Sequence, residues 1–323
     1  MSTKTFPTDI TLHRQGIYLI SPSGVVRDQA ALRLARRRLT TLGFPTTLDR
    51  CALAVHEHLA GTDAQRLGGI ARALQQECPI VMATRGGYGM SRLLPHIDWR
   101  AVADSGKTFV GFSDFTAFNL ALLARTGAQS FSGPVALADF GGQQVNPTMC
   151  NTFIGMMRGQ CDRLRFDAST ADAVDVRGVL WGGNLAMVAS LLGTPYMPKV
   201  RGGILFLEDV NEHPYRIERM LVQLWQAGIL EKQKAVLLGN FTLSGPMPKT
   251  YVDDLNAVLC WLRATVNVPV VSRLPYGHVE TKVTLPIGRR VHLATEGGVA
   301  HLLFQQGVRT GKVPVSFDDR VPG

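Results

Sequence analysis

Short apolar runs, each closed by a glycine- or serine-rich turn and followed by a helix-period segment, constrain this chain more than any other feature. Ile17-Tyr18-Leu19-Ile20 runs into Ser21-Pro22-Ser23-Gly24, and Ile80-Val81-Met82-Ala83-Thr84 into Arg85-Gly86-Gly87. Thr108-Phe109-Val110-Gly111-Phe112 runs into Ser113-Asp114. A strand that is apolar at successive positions is buried on both faces, and helices on both sides of a parallel sheet supply that cover. Between the runs, Ala30, Leu32, Leu34 and Leu39 recur among arginines over 28–42, with Gly43 as the stop of an amphipathic helix. Thr62-Asp63-Ala64-Gln65 fits a capping box that opens another. The alternation predicts an open parallel α/β sheet of flavodoxin or Rossmann type in the first half.

The pattern loosens over 161–178, through Asp162-Arg163-Leu164-Arg165 and Asp167-Ala168-Ser169-Thr170. A linker is expected there, between an N-terminal domain of residues 1–160 and a C-terminal domain of residues 179–323. The second half carries strands near 203–207, 235–238 and 268–271, helices near 214–228 and 251–264, and antiparallel strands around Val291-His292-Leu293 and Val299–Phe304. It is expected to form a mixed α/β domain with a small barrel-like sheet.

The 323 residues are enough for a core without staples, and the five scattered cysteines lack the spacing of a zinc site or a disulfide framework. Buried reduced thiols are expected. No apolar run reaches the roughly 18–20 residues of a membrane span. The polar start Met1-Ser2-Thr3-Lys4 has no apolar signal region, so a cytoplasmic location is expected. Thirty-four Lys+Arg against 25 Asp+Glu give +9, which admits nucleic acid, an anionic surface or a small anionic substrate.

Ser113 stands at the junction of a buried strand and a helix expected to start near Asp114. Such a turn exposes a hydroxyl at the sheet edge and aims helix amides at a developing oxyanion. The same residues also suit a helix N-cap, and Phe115 breaks the G-x-S-x-G pattern of the α/β-hydrolases. Arg85-Gly86-Gly87-Tyr88-Gly89 lets backbone approach a ligand or is a plain tight turn; its spacing matches neither dinucleotide nor P-loop signatures. Glu208 and Asp209 follow an apolar strand and either orient a histidine or start the next helix at Pro214. His278 lies in the loop Leu274-Pro275-Tyr276-Gly277-His278. His56-Glu57-His58 lacks metal-ligand spacing, the other histidines form no cluster, and no metal or cofactor is expected. Arg36-Arg37-Arg38 reads as a solvated helix face.

Taken in order, these segments closely resemble the murein tetrapeptide LD-carboxypeptidases, a family of serine peptidases, from about Ile17 to Leu303. The resemblance rests on Arg85-Gly86-Gly87-Tyr88-Gly89 with Ser91-Arg92-Leu93-Leu94, Gly111-Phe112-Ser113-Asp114-Phe115-Thr116 and Phe131-Ser132-Gly133-Pro134. It continues through Leu180-Trp181-Gly182-Gly183-Asn184-Leu185, Leu207-Glu208-Asp209 and Gly277-His278 with Thr284-Leu285-Pro286-Ile287-Gly288. It implies a Ser113–His278–Glu208 triad, with Asp209 as the neighbouring rival for the acid. It also implies an oxyanion hole from the backbone amides of Asp114 and Gly87. Arg85, Gly86 and Asn184 are the expected substrate-binding residues. Phe112, where the family also shows His or Tyr, and a longer leader through Arg14 are the departures.

The implied reaction is release of the terminal D-alanine from a muramyl tetrapeptide during cell-wall recycling, by a cytoplasmic homodimer that binds neither nucleic acid nor membrane. The alternatives are an immunity peptidase of the same family, cleaving peptide-nucleotide antibiotics, and a non-hydrolytic nucleotide or nucleic-acid binding module.

Overall fold

The computed structural model describes residues 16–168 and 173–304. The leader through Arg14 lies outside the described residues. Five parallel strands build the first sheet: β1 (Ile17–Ile20), β2 (Thr46–Leu48), β3 (Ile80–Ala83), β4 (Thr108–Gly111) and β5 (Ser130–Ser132). The fully apolar runs become the inner strands: every residue of β1 and β3 is buried. The covering helices are α1 (Gln29–Thr41), α2 (Asp63–Leu74), α3 (Trp99–Asp104), α4 (Thr116–Thr126) and α5 (Pro147–Arg158).

Side chains cap the first two helices. Asp28 caps α1 by accepting from the Ala31 amide at 2.8 Å. The Thr62–Gln65 capping box closes at 3.3 and 2.9 Å. The arginine run on α1 is not simply a solvated face. Arg36 donates to the Thr46 hydroxyl at 3.2 Å, and Arg38 reaches the carbonyls of Phe140, Gly142 and Gln143 at 2.6 to 2.9 Å. Its long stem crosses the helix edge to satisfy carbonyls of a tight turn that helices leave open. Among the cysteines, only Cys150 is buried; Cys51, Cys78 and Cys161 are partly covered, and Cys260 is exposed on a helix.

The second sheet holds β6 (Arg163–Asp167), β7 (Asp175–Asn184), β8 (Ile204–Val210), β9 (Ala235–Thr242) and β10 (Val270–Ser272). Its helices are α6 (Leu185–Ser190), α7 (Pro214–Gln226) and α8 (Lys249–Thr265). After β10 the chain crosses back, and β11 (Leu285–Ile287) pairs antiparallel with β5, placing Leu285 opposite Ser132. β12 (Arg289–Glu296) and β13 (Val299–Phe304) then return to the second sheet. The sheet orders are β11-β5-β4-β3-β1-β2 and β10-β9-β8-β7-β12-β13-β6. The antiparallel strands thus continue the parallel ones within one seven-stranded sheet.

Two features differ from a simple linker model. Within 161–178, β6 is an edge strand of the second sheet, pairing with β13, and β7 begins at Asp175. Its residues alternate outward and inward, with Leu164 and Phe166 buried beneath charged neighbours, so a polar composition conceals a half-buried strand. The crossing to β11 also carries the 273–284 loop across the boundary between the halves. Between the sheets lies α4, buried from Thr116 to Leu123 and packed on β5, α3, α6 and β7.

Candidate active site

Ser113 is two residues past the end of β4 and has φ of +62°. A residue with a Cβ pays about 1–2 kcal/mol for this left-handed backbone, a strain concentrated at functional turns. The Phe115 amide donates to the Phe112 carbonyl at 3.2 Å, and α4 starts at Thr116 rather than at Asp114. The turn leaves Ser113 partly exposed while its neighbours Phe112 and Asp114 are buried.

The loop after β3 presses on this turn. A Cβ on Gly86 would lie 2.9 Å from the Ser113 Cβ and 3.2 Å from its Oγ, so only glycine backbone fits beside the hydroxyl. Gly87, next along, is exposed. The Gly24 amide donates to the Gly86 carbonyl at 3.2 Å, and Arg85 donates to the carbonyls of Gly86 and Val25 at 3.3 and 3.0 Å. Arg85 therefore braces the loop with part of its five-donor fork. Asp114 turns inward and accepts from the Met90 amide at 3.0 Å. Burial pushes its carboxyl upward, against the pull of that amide and of the Arg66 charge.

Glu208 comes from the carboxyl end of β8 and is fully buried; its Oε2 lies 2.8 Å from Nδ1 of His278. The His278 ring keeps a quarter of its surface exposed. A register shift seats its loop: Leu207 faces Leu238 but Asp209 faces Phe241, so β9 carries one extra residue around Gly239-Asn240. There the Asn240 amide donates to the Tyr276 carbonyl at 2.8 Å, and a Cβ on Gly239 would meet that carbonyl oxygen at 2.4 Å. The bulge thus holds the loop whose next residues bring His278 to Glu208.

Phe112 joins the two parts. Its ring is 4.5 Å from the His278 ring and 5.5 Å from that of Tyr276, whose hydroxyl bonds Ser132. Lys282 places its Nζ 3.9 Å from the Phe112 ring centre and 3.0 and 3.1 Å from the two Asp139 oxygens. This ion pair is buried on both sides and ties the His278 loop to the first half. The aromatic and ionic contacts hold the residue beside Ser113 against His278.

The structure thus brings Ser113, Asp114, Gly86 and Gly87 to one edge and pairs Glu208 with His278, with Phe112 between. Asn184, expected to bind substrate, is 6% exposed. Its carboxamide is spent on Glu208, Asp209 and the Met187 amide, because a polar residue after glycines at a strand end here caps α6. Asp209 accepts from Asn184 and from the Ala186 and Val210 amides, and does not compete for His278. Burial, with a smaller push from the Glu208 charge, raises its carboxyl to about 6.

His58 of the His56-Glu57-His58 run stacks on exposed Tyr88 at 4.3 Å, and His292 pairs with Asp175 at 2.7 Å. Sequence reasoning missed Lys282 and Asp139. They meet across 143 residues, and no local pattern marks such a pair. Among the described residues, no group of three His, Cys, Asp or Glu side chains is placed to hold a metal, and no helix is long and apolar enough to cross a membrane.

Comparison with known proteins identifies the family. Residues 17–133 match the model of the LD-carboxypeptidase N-terminal domain and residues 177–293 that of the LD-carboxypeptidase C-terminal domain. A putative carboxypeptidase of Streptomyces coelicolor is 35% identical over 306 residues, covering 88% of this chain and 92% of the relative. The murein tetrapeptide carboxypeptidase of Pseudomonas aeruginosa is 32% identical over 284 residues, covering 84% and 91%. The crystal structure of muramoyltetrapeptide carboxypeptidase from Oxalobacter formigenes is 43% identical, covers 89% of this chain and 97% of that one, and superposes with a TM-score of 0.80.

Proposed function

This chain belongs to the LD-carboxypeptidase family of serine peptidases, and from that premise we propose that it removes the terminal D-alanine of muramyl tetrapeptides through a Ser113–His278–Glu208 triad. The observation that carries the reading is the 2.8 Å contact between buried Glu208 and His278, in a ring-to-ring contact with the residue that precedes strained Ser113.

The scissile bond joins the L-centre of meso-diaminopimelate to D-alanine. His278 takes the Ser113 proton on Nε2 as Oγ attacks the carbonyl carbon. Its Nδ1–H donates to Glu208, which fixes the tautomer and stabilises the imidazolium. The Asp114 and Gly87 amides receive the oxyanion. Collapse breaks the C–N bond, the D-alanine amine leaves with the proton from His278, and the acyl group stays on Ser113. Water, deprotonated by His278, then releases the tripeptide and restores the serine. Arg85 supplies positive charge beside the site for a substrate carboxylate, and Gly86 lies against the bound peptide.

The same reading places the enzyme in the cytoplasm, recycling cell-wall peptides as a homodimer without a cofactor, with its nucleophile on the N-terminal domain and its acid and base on the C-terminal one. The test is a panel of a muramyl tetrapeptide, the same peptide ending in L-alanine, and an aminoacyl-nucleotide conjugate, assayed in EDTA with products read by mass spectrometry. Release from the D-alanine peptide alone is expected. Hydrolysis of the conjugate without D-alanine release would replace this reading with the immunity-type activity.

A further inference from the structure

Behind the acid of the proposed triad, one side chain touches both buried carboxylates. Asn184 Nδ2 donates to Glu208 Oε1 at 3.3 Å and to Asp209 Oδ1 at 2.9 Å, while its Oδ1 accepts from the Met187 amide at 3.1 Å. These partners fix the orientation of the carboxamide: turned over, its oxygen would face two carboxylates and its NH2 an N–H donor. Its backbone amide donates to the Thr116 hydroxyl at 3.2 Å, three residues beyond Ser113. The preceding Gly183 makes room, since a Cβ there would come 2.5 Å from that hydroxyl oxygen. Asn184 thus spans the serine turn of the first half and the acid of the second.

We propose that Asn184 is a positioning residue that holds the Glu208 carboxylate on His278 and fixes the acid relative to the Ser113 turn. The role rests on the triad assignment above. Glu208 has two oxygens: Oε2 serves His278, and Oε1 receives the Asn184 amide. With that donor removed, the carboxylate is free to swing about its remaining bond, and its buried Oε1 is left without this partner. Adjacent Asp209 would then meet Glu208 without the shared donor between them.

A helix cap alone would make a different prediction, and the two separate by substitution. Serine and aspartate both cap helices well, so Asn184→Ser and Asn184→Asp keep the bond to Met187 while deleting the NH2. Turnover of muramyl tetrapeptide should fall about 10- to 100-fold in Asn184→Ser with KM little changed, the scale of a misplaced catalytic group. Asn184→Asp should lose more and recover toward acid pH, as a proton on the new carboxyl restores a donor. The charged and titratable groups around it are Glu208 and Asp209 on β8, His278 and Tyr276 on the loop after β10, and Tyr251 on α8 near Asp209. Wild type under the same pH series supplies their shared background.

Labelling of Ser113 by a fluorophosphonate, read by peptide mass, needs no substrate and should slow in parallel. Wild-type rates of labelling and turnover in both folded variants would overturn the proposal and leave Asn184 a cap. Failure of folded wild type to label at Ser113 would remove the triad reading, and this role with it. Labelled wild type that releases no D-alanine would break only the substrate assignment, with labelling rates still deciding the role of Asn184.

Discussion

Asp49, just past β2 in the first sheet, and Asp209, near the end of β8 in the second, are equally buried at 3% exposure, yet their environments pull in opposite directions. Around Asp49, Arg72 donates through Nε and NH2 at 2.7 and 2.8 Å, and the Tyr18 hydroxyl donates at 2.7 Å. Burial pulls the Asp49 carboxyl up, but Arg72, Tyr18 and the Cys51 amide outweigh it and hold it below its ordinary value. The Tyr18 phenol beside it is pushed up to about 12 by burial and then by Asp49. Asp209 is held by a carboxamide and two backbone amides, and burial wins, raising it to about 6.

The difference teaches what each cluster is for. A carboxylate clamped by a permanent cation already has its charge matched, so it serves the fold. At the second cluster, Glu208 faces His278, a group that becomes cationic only on taking a proton. Negative charge held in that state favours the imidazolium form as Ser113 loses its proton, which is what the proposed chemistry needs.

The largest expected effect follows from exchanging amide for acid at the two places. Glu208→Gln should cut kcat about 10³- to 10⁴-fold, as removal of the orienting acid does in a serine triad, with little change in unfolding midpoint. Asp49→Asn should do the reverse: a loss of roughly 3–5 kcal/mol in urea unfolding, from a broken buried ion pair, with kcat of the folded enzyme kept. Similar stability losses and unchanged kcat in both would erase the distinction.

A smaller effect sharpens it. The folded state holds the Asp209 proton up to about pH 6, whereas the unfolded chain releases it near 3.8. The resulting stabilisation is whole below about pH 4 and lost as pH rises through 6, on the order of 3 kcal/mol. Asp209→Asn should lack that slope, so the wild-type unfolding free energy minus that of the variant should fall by this amount as pH rises from 4 to 8. An unchanged slope would show that Asp209 is not raised.

How much of this was legible in the sequence varied with the kind of interaction. β1, β3 and β4 could be read because their runs are almost wholly apolar, and the capping box at Thr62 because its partner Gln65 lies three residues away. β11 could not be placed: Leu285-Pro286-Ile287 finds Ser132-Phe131-Ser130 by a crossing that no local signal announces. β6 was hidden by its charges, although Leu164 and Phe166 keep the alternation of a strand.

The site divides in the same way. Residue chemistry left Ser113 between nucleophile and cap, and the link to Glu208 and His278 came from the family resemblance. Asn184 was expected among the substrate-binding residues because its amide suits a carboxylate clamp in the reaction that the resemblance implies. The structure turns it inward, where Met187, Glu208 and Asp209 take its amide.

The most direct test of the central claim is D-alanine release from muramyl tetrapeptide by wild type and by Ser113→Ala side by side, followed by mass spectrometry, with thermal unfolding of both. The account predicts release by wild type, none above background by the variant, and the same unfolding midpoint. Release by a folded Ser113→Ala protein at the wild-type rate would contradict it.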